Sequence, residues 1–139
     1  MKIISQSNSF WVLYNQHTEP TFLQDAGNGQ KAQRDAALDE CKKWRVCLDV
    51  GSNIGQWTRP LSKKFESVIC FEPNPNFREC FKKNINENNV ILWPYGLSDR
   101  THKATQDYNS TVLQNQDGDI DCRTLDSFGL TNVDFVKID

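Results

Sequence analysis

Two short, almost uninterrupted apolar runs, Val46 to Val50 and Ser67 to Glu72, stand in mid-chain, each followed by large apolar residues recurring every three or four positions. Runs of that length predict strands buried on both faces, and the recurrences predict helices packed back against them. After the first run, Ile54, Trp57, Leu61 and Phe65 form the helical repeat. Pro60 falls inside it, deleting a donor and clashing with the preceding turn, so the helix either kinks there or begins near Thr58. After the second run, Phe77, Cys80, Phe81 and Ile85 make a buried stripe; Asn74 is placed to cap this helix and Pro75 suits its first turn. NVILW is a third strand ended by Pro94, and VDFVKID a fourth. Upstream, Lys31 to Trp44 puts Ala37, Cys41 and Trp44 on one helical face with good helix formers between them.

The rest of the chain is less periodic. SFWVLY reads as a short strand, and HTEPTFLQDAGNGQ, with Pro20, Gly27 and Gly29, as turns. Residues 1–30 are therefore expected to be an N-terminal extension and 31–139 one domain. Between strands three and four lies a polar, turn-rich insertion with weak strand signals at Ala104 to Tyr108 and Ile120 to Leu125, where Asp121, Arg123 and Asp126 read as surface charges of a hairpin. Strands alternating with helices at this spacing imply parallel pairing with right-handed crossovers, hence an open α/β sheet with helices on its faces. Ligands of such sheets sit beyond the carboxyl ends of the strands, after Val50, Phe71, Trp93 and Ile138.

Composition narrows the function. At 139 residues the chain has the length of one domain, and its eight Phe, four Trp and three Tyr supply a core. Sixteen Lys and Arg against eighteen Asp and Glu give a net charge of -2. The basic residues come in scattered pairs (Lys42-Lys43, Lys63-Lys64, Lys82-Lys83), so no nucleic-acid surface is expected. No apolar run approaches the roughly eighteen residues that cross a bilayer, and the start lacks the continuous apolar stretch of a signal peptide. No membrane association and a cytoplasmic location are the expectation. The five Cys (41, 47, 70, 80 and 122) contain no C-x-x-C pair and read as reduced structural thiols, with no metal site.

The sharpest local signal is Leu48-Asp49-Val50-Gly51-Ser52-Asn53-Ile54-Gly55. Glycines after a buried strand let the backbone turn tightly and let a ligand approach its amides. The G-x-x-x-G spacing is neither the dinucleotide fingerprint nor a phosphate-binding loop, which disfavours a pyrophosphate ligand. Twenty-three residues after Asp49, Glu72 stands at the tip of the second strand, where a carboxylate can accept hydrogen bonds from both hydroxyls of a ribose.

On these residues the chain resembles a known family. DVGSNIGQWT, CFEPNP, PYGLSD and RTLDSFGLTNVDFVKID look like the successive motifs of class I S-adenosylmethionine-dependent methyltransferases, most of all the FkbM family. The resemblance runs from Val46 to Asp139, about two-thirds of the chain. It implies a Rossmann-like, mostly parallel sheet of order 3-2-1-4-5-7-6, of which strands 3-2-1-4 fall here. It implies S-adenosylmethionine as cofactor, with Asp49 under the methionine amino group. The turn of Gly51, Ser52, Asn53 and Gly55 would face methionine and ribose, Glu72 would hold the ribose hydroxyls with Asn74 nearby, and Ser98 and Asp99 would lie beside adenine. Trp57 packs in the core or over the methionine end, the core being favoured.

Two departures stand out. Asn53 occupies a position where many class I enzymes have glycine, and the family motif K-x-D-x-E-G is met only as far as Asp139. The expectation is a domain lacking the later strands, with its fourth strand an apolar edge that invites self-association unless something covers it.

Methyl transfer from a sulfonium needs alignment and exclusion of water, and a hydroxyl acceptor needs a proton sink. Asp139 is the expected base or positioning group, with Lys137 two residues earlier on the same face; a structural ion pair between them is the competing reading. His17 and His102 read as solvated, and no physical argument selects Asp107 or Tyr108. The expected activity is O-methyl transfer to a hydroxyl of a small molecule or glycan. The alternatives are a cofactor-binding remnant without turnover and a different nucleotide-dependent α/β enzyme, which the turn spacing opposes.

Overall fold

The structure is a computed structural model that describes residues 2–5, 10–14, 30–106, 112–114 and 118–139. Its centre is a parallel sheet of four strands: β3 (Val46–Val50), β4 (Ser67–Phe71), β5 (Val90–Trp93) and β10 (Val133–Ile138), in the order β10-β3-β4-β5. This is the 3-2-1-4 order expected for the class I fold, with β3 as its first strand. Register is regular across the centre, Cys47 beside Val68 and Asp49 beside Cys70, and on the other side Lys137 lies beside Asp49. One irregularity between Val133 and Phe135 lets β10 follow β3 to its carboxyl end.

The alternation of side chains sorts the core into two faces. Cys47, Val68 and Cys70 point to one face and meet Leu38, Leu61, Phe65, Phe81 and Ile85. These come from helices α1 (Lys31–Asp39), α2 (Thr58–Ser62) and α3 (Pro75–Asn84) and the turns that follow them. Leu48, Ile69 and Phe71 point the other way, against Tyr95, Leu97, Phe128 and Leu130. That face is covered by the insertion rather than by helices, which differs from the two helical layers expected. The insertion forms a second sheet, ordered β6-β9-β7-β8, from β6 (Gly96–Leu97), β7 (His102–Gln106), β8 (Val112–Gln114) and β9 (Ile120–Arg123), followed by a 3-10 turn at Leu125–Phe128.

The helices begin and end for local reasons. In α3 the Asn74 side chain accepts from the Asn76 and Phe77 amides, with Pro75 next in line. The other helix takes the later of its two expected starts, at Thr58, so Pro60 falls in its first turn where its missing donor costs nothing. For α1 the expected buried face was Ala37, Cys41 and Trp44. Instead Arg34 and Leu38 are buried, Ala37 is exposed, and the helix stops at Asp39 as the Cys41 amide reaches back to the Leu38 carbonyl at 3.0 Å. Trp44 reaches the core from an extended connector and packs on Phe65 with ring centroids 5.0 Å apart.

The segment expected to be an N-terminal extension contributes a hairpin, β1 (Lys2–Ser5) with β2 (Trp11–Tyr14). Phe10 and Val12 are buried with Ile54 and Cys80. Asn84 fastens it, its amide donating to the carbonyls of Trp11 and Ile54 at 2.9 and 2.8 Å, while the Arg59 guanidinium lies 3.7 Å from the Phe10 ring centre. No helix among the described residues is long and apolar enough to cross a membrane. β10 forms one edge of the main sheet and leaves Val136 and Ile138 exposed.

Candidate functional site

Three chain segments meet at the carboxyl ends of β10, β3 and β4. The first is the end of β3 beside that of β10. Asp49 is fully buried; its Oδ2 accepts from the Thr58 hydroxyl at 2.6 Å, and its Oδ1 lies 3.2 Å from Lys137 Nζ. Register explains the second contact, because Lys137 and Asp49 are cross-strand neighbours. The Lys137 ammonium also donates to the Gly51 carbonyl at 2.8 Å and the Val50 carbonyl at 3.4 Å, and stands 3.5 Å from Asp139 Oδ2. The pairing with Asp139 expected from their spacing is thus present, but as the longest of four oxygen contacts. Burial pushes the Asp49 carboxyl above its usual range, with the Lys137 charge and the Thr58 hydroxyl pulling it back.

The second segment is the turn after β3, and it directs its amides inward. The Gly51 and Ser52 N–H groups both donate to the Phe71 carbonyl, at 2.9 and 3.1 Å, and the Gly55 N–H donates to the Ser52 carbonyl at 2.9 Å. Asn53 donates its N–H to Glu72 Oε2 at 2.8 Å, with φ at 51°, a left-handed conformation that Asn tolerates. At Gly55 φ is 93° and a Cβ would lie 2.7 Å from Ile85 Cγ1, so the glycine lets the turn sit on the core.

Glu72 is the third segment. Its Oε1 accepts from the Asn74 N–H at 2.8 Å, so one buried carboxylate ties the turn after β3 to the cap of α3. The Arg78 guanidinium closes the same loop through the Glu72 carbonyl at 3.0 Å. Burial raises the Glu72 carboxyl; the two backbone amides and, more weakly, Arg78 and Lys137 oppose it.

The chemistry of the site follows from what is used and what is left. Four of the five amides from Gly51 to Gly55 are consumed internally, which leaves few N–H donors there for a phosphate. Each Glu72 oxygen keeps a further lone pair, and Ser52 Oγ and Asn53 Oδ1 are buried without a hydrogen-bond partner. A site poor in donors and rich in acceptors takes hydroxyl groups or a cation.

Ser98 and Asp99 follow β6 of the second sheet. Ser98 takes the Arg123 carbonyl through its N–H at 2.9 Å; its hydroxyl donates to Asp99 Oδ1 at 3.1 Å and lies 3.0 Å from His102 Nε2. His102, expected to be solvated and without a partner, is therefore held, its Nδ1 lying 2.7 Å from the Lys103 carbonyl. His17, Asp107 and Tyr108 lie outside the described residues. Sequence reasoning missed Thr58, Asn84 and Arg34. Thr58 had a signal, since it stands nine residues after Asp49 at the start of the following helix.

No family model and no curated protein matches the chain. Among solved structures it is similar to a protein proposed to be a type II methyltransferase from Anaeromyxobacter dehalogenans, with 18% identity and a TM-score of 0.39 over 48% of this chain and 27% of that one. It is also similar to DhpI in a complex with SAM and HEP, with 17% identity and a TM-score of 0.38 over 63% of this chain and 49% of that one. The chain thus spans half or less of the length of these structures. At such scores the class I architecture rests on the strand order and register described above.

Proposed function

We propose that this chain carries the cofactor half of a class I methyltransferase that uses S-adenosylmethionine, of FkbM type, transferring a methyl group to a hydroxyl of a small molecule or glycan. The observation that carries the reading is the Glu72 carboxylate at the carboxyl end of β4, bound to the turn after β3 and to the α3 cap, beside a turn with four of its amides spent. Such a site suits a nucleoside that presents hydroxyls and a cationic side chain and argues against one that presents a pyrophosphate. Glu72 would hold the ribose hydroxyls and Asn53 Oδ1 would add an acceptor. Asp49 and Asp139 supply negative charge toward the methionine end, partly offset by Lys137. When bound, the cofactor supplies a methyl group already activated on sulfur. The protein's own part is to orient the acceptor, exclude water and take a proton at Asp139 Oδ2, which stands at the open end of β10 with Lys137 behind it.

Calorimetric titration of the chain with S-adenosylmethionine and, separately, NAD tests the reading. The expected result is S-adenosylmethionine binding weakened on the order of 10- to 100-fold by Glu72→Ala, from loss of charge-assisted hydrogen bonds worth about 1.5–3 kcal/mol. Preference for NAD, or equal affinity in wild type and variant, would sink it.

A further inference from the structure

β5 is the other edge of the main sheet, and among the described residues it pairs only with β4. An edge strand presents open N–H and C=O groups that template further pairing, and soluble proteins guard such edges with charges, bulges or covering segments. Beyond its shortness and the Pro94 that follows it, β5 has no such guard. Its sequence VILW carries no charge, and Ile91 and Trp93, on the face away from α3, are 47% and 38% exposed.

The ladder to β4 determines which backbone groups are open. The Asn89 and Trp93 carbonyls accept from the Val68 and Glu72 amides at 2.9 and 3.1 Å, so residues 89, 91 and 93 turn their backbones to β4, and Val90 and Leu92 turn theirs outward. On the α3 side of this edge runs a groove of about 360 Å³ lined by Phe81, Ile85, Val90 and Leu92. Arg78, bonded to the Glu72 and Pro73 carbonyls, lines its end near the carboxyl end of β5, and Glu87, just ahead of the strand, lines the other.

We infer that β5 is a docking strand for a second copy of this chain, the two β5 strands pairing antiparallel about a two-fold axis normal to the sheet. The strand is complementary to itself in register. With Ile91 facing its own mate on the axis, Val90 faces Leu92 and Leu92 faces Val90, so the residues with open donors and acceptors meet and exchange both hydrogen bonds. A slip of one residue sets open groups against closed ones. A slip of two sets Val90 against Pro94, which has no N–H, or Ile91 against the polar Asn89.

The edge is complementary to itself in charge as well. Antiparallel pairing lays the amino end of one strand beside the carboxyl end of the other, which brings Glu87 of each copy toward Arg78 of the other. Lys82, midway along the groove, has Glu79 at 3.7 Å and brings no bare charge to the axis. On the opposite face the two Ile91 side chains are flanked diagonally by the two Trp93 rings.

Sedimentation equilibrium of the full chain over a range of concentrations tests the proposal. A monomer–dimer equilibrium is expected. Ile91→Lys, at an exposed position, should weaken it tenfold or more because two charges then meet on the axis, and Glu87→Arg should weaken it by setting like charges together. Ile138→Lys, on the exposed β10 edge, should leave it unchanged. Register is read by cross-linking: in a Cys41→Ser background, Ile91→Cys should form a disulfide-linked dimer under mild oxidation, since facing residues of that kind lie about 4.5 Å apart at Cα, and Trp93→Cys should not.

A monomer at every concentration, a dimer that survives Ile91→Lys or is abolished by Ile138→Lys, or linkage through position 93 in place of 91 would overturn the proposal. Should Ile91→Lys fail to fold, the cross-linking pair decides. None of these readouts involves S-adenosylmethionine, so their failure is distinct from failure of the function proposed above.

Discussion

Strands β3 and β10 are joined at both ends by a cation and a carboxylate, and the two joints are built in opposite ways. At the amino ends Arg45 forks onto Asp134, Nε to Oδ2 at 3.0 Å and Nη2 to Oδ1 at 2.6 Å, with the Arg45 backbone N–H adding 2.9 Å. The Arg45 side chain remains 40% exposed. At the carboxyl ends Lys137 meets Asp49 with side-chain exposures of 8% and 0%. The first joint keeps its cation open to water, while the Asp134 side chain is 8% exposed. The second has no water to replace it, and it ends on the Gly51 carbonyl, so the strand pairing there also sets the turn. A buried pair adds little net stability but is costly to break on one side.

The largest expected effect comes from breaking the buried joint. Lys137→Met strips the buried Asp49 carboxyl of its cation, a loss of about 3–5 kcal/mol by urea unfolding at neutral pH. Because burial already raises the Asp49 carboxyl, the loss should shrink as pH falls through its folded-state value and the charge is removed. The double variant Lys137→Met with Asp49→Asn should recover much of it. A loss no larger than that of the outer joint would erase the distinction.

Arg45→Met should cost less, and its mark is a pH window. Arg45 holds Asp134 down at about 2, so the clamp's contribution is present above the usual Asp range and lost as pH falls from roughly 4 toward 2. The variant should flatten the stability profile there and leave its neutral limb nearly parallel to wild type. An unchanged acid limb would mean that the fork carries no linkage.

The smallest effect sets the floor. Lys103 and Asp121 pair across β7 and β9 with both side chains 51% exposed. Lys103→Met should leave the thermal midpoint where it was; a clear drop would show that exposed pairs matter more here than the comparison allows.

What the sequence disclosed depended on whether the deciding contact was local. The strands Val46–Val50 and Ser67–Phe71 were legible because burial on both faces leaves an almost uninterrupted apolar run, and the α3 cap because Asn74-Pro75 is a local device. The end of α1 was not, since a reverse bond at Cys41 outweighs the good helix formers beyond it. Glu72 was found by its place at a strand tip, while its partners, the amides of Asn53 and Asn74, needed the fold. The Lys137–Asp49 contact lay within reach: once strand four is set beside strand one with carboxyl ends level, the two residues are neighbours. Arg34 sits at a helical position that any charged residue could occupy on the surface, and nothing nearby in sequence marks it as buried.

The inward-facing amides of the turn have a consequence for competition inside a mixture of metabolites. Adenine nucleotides such as ATP and NAD carry much of their affinity for many α/β proteins in their phosphates, and a turn with four of its N–H groups already taken gives those phosphates little that bulk water lacks. Two acids and one base at the same strand ends would repel them further. On the function proposed above, a site arranged in this way would disfavour adenine compounds that bind through phosphate and favour one that presents hydroxyls and positive charge.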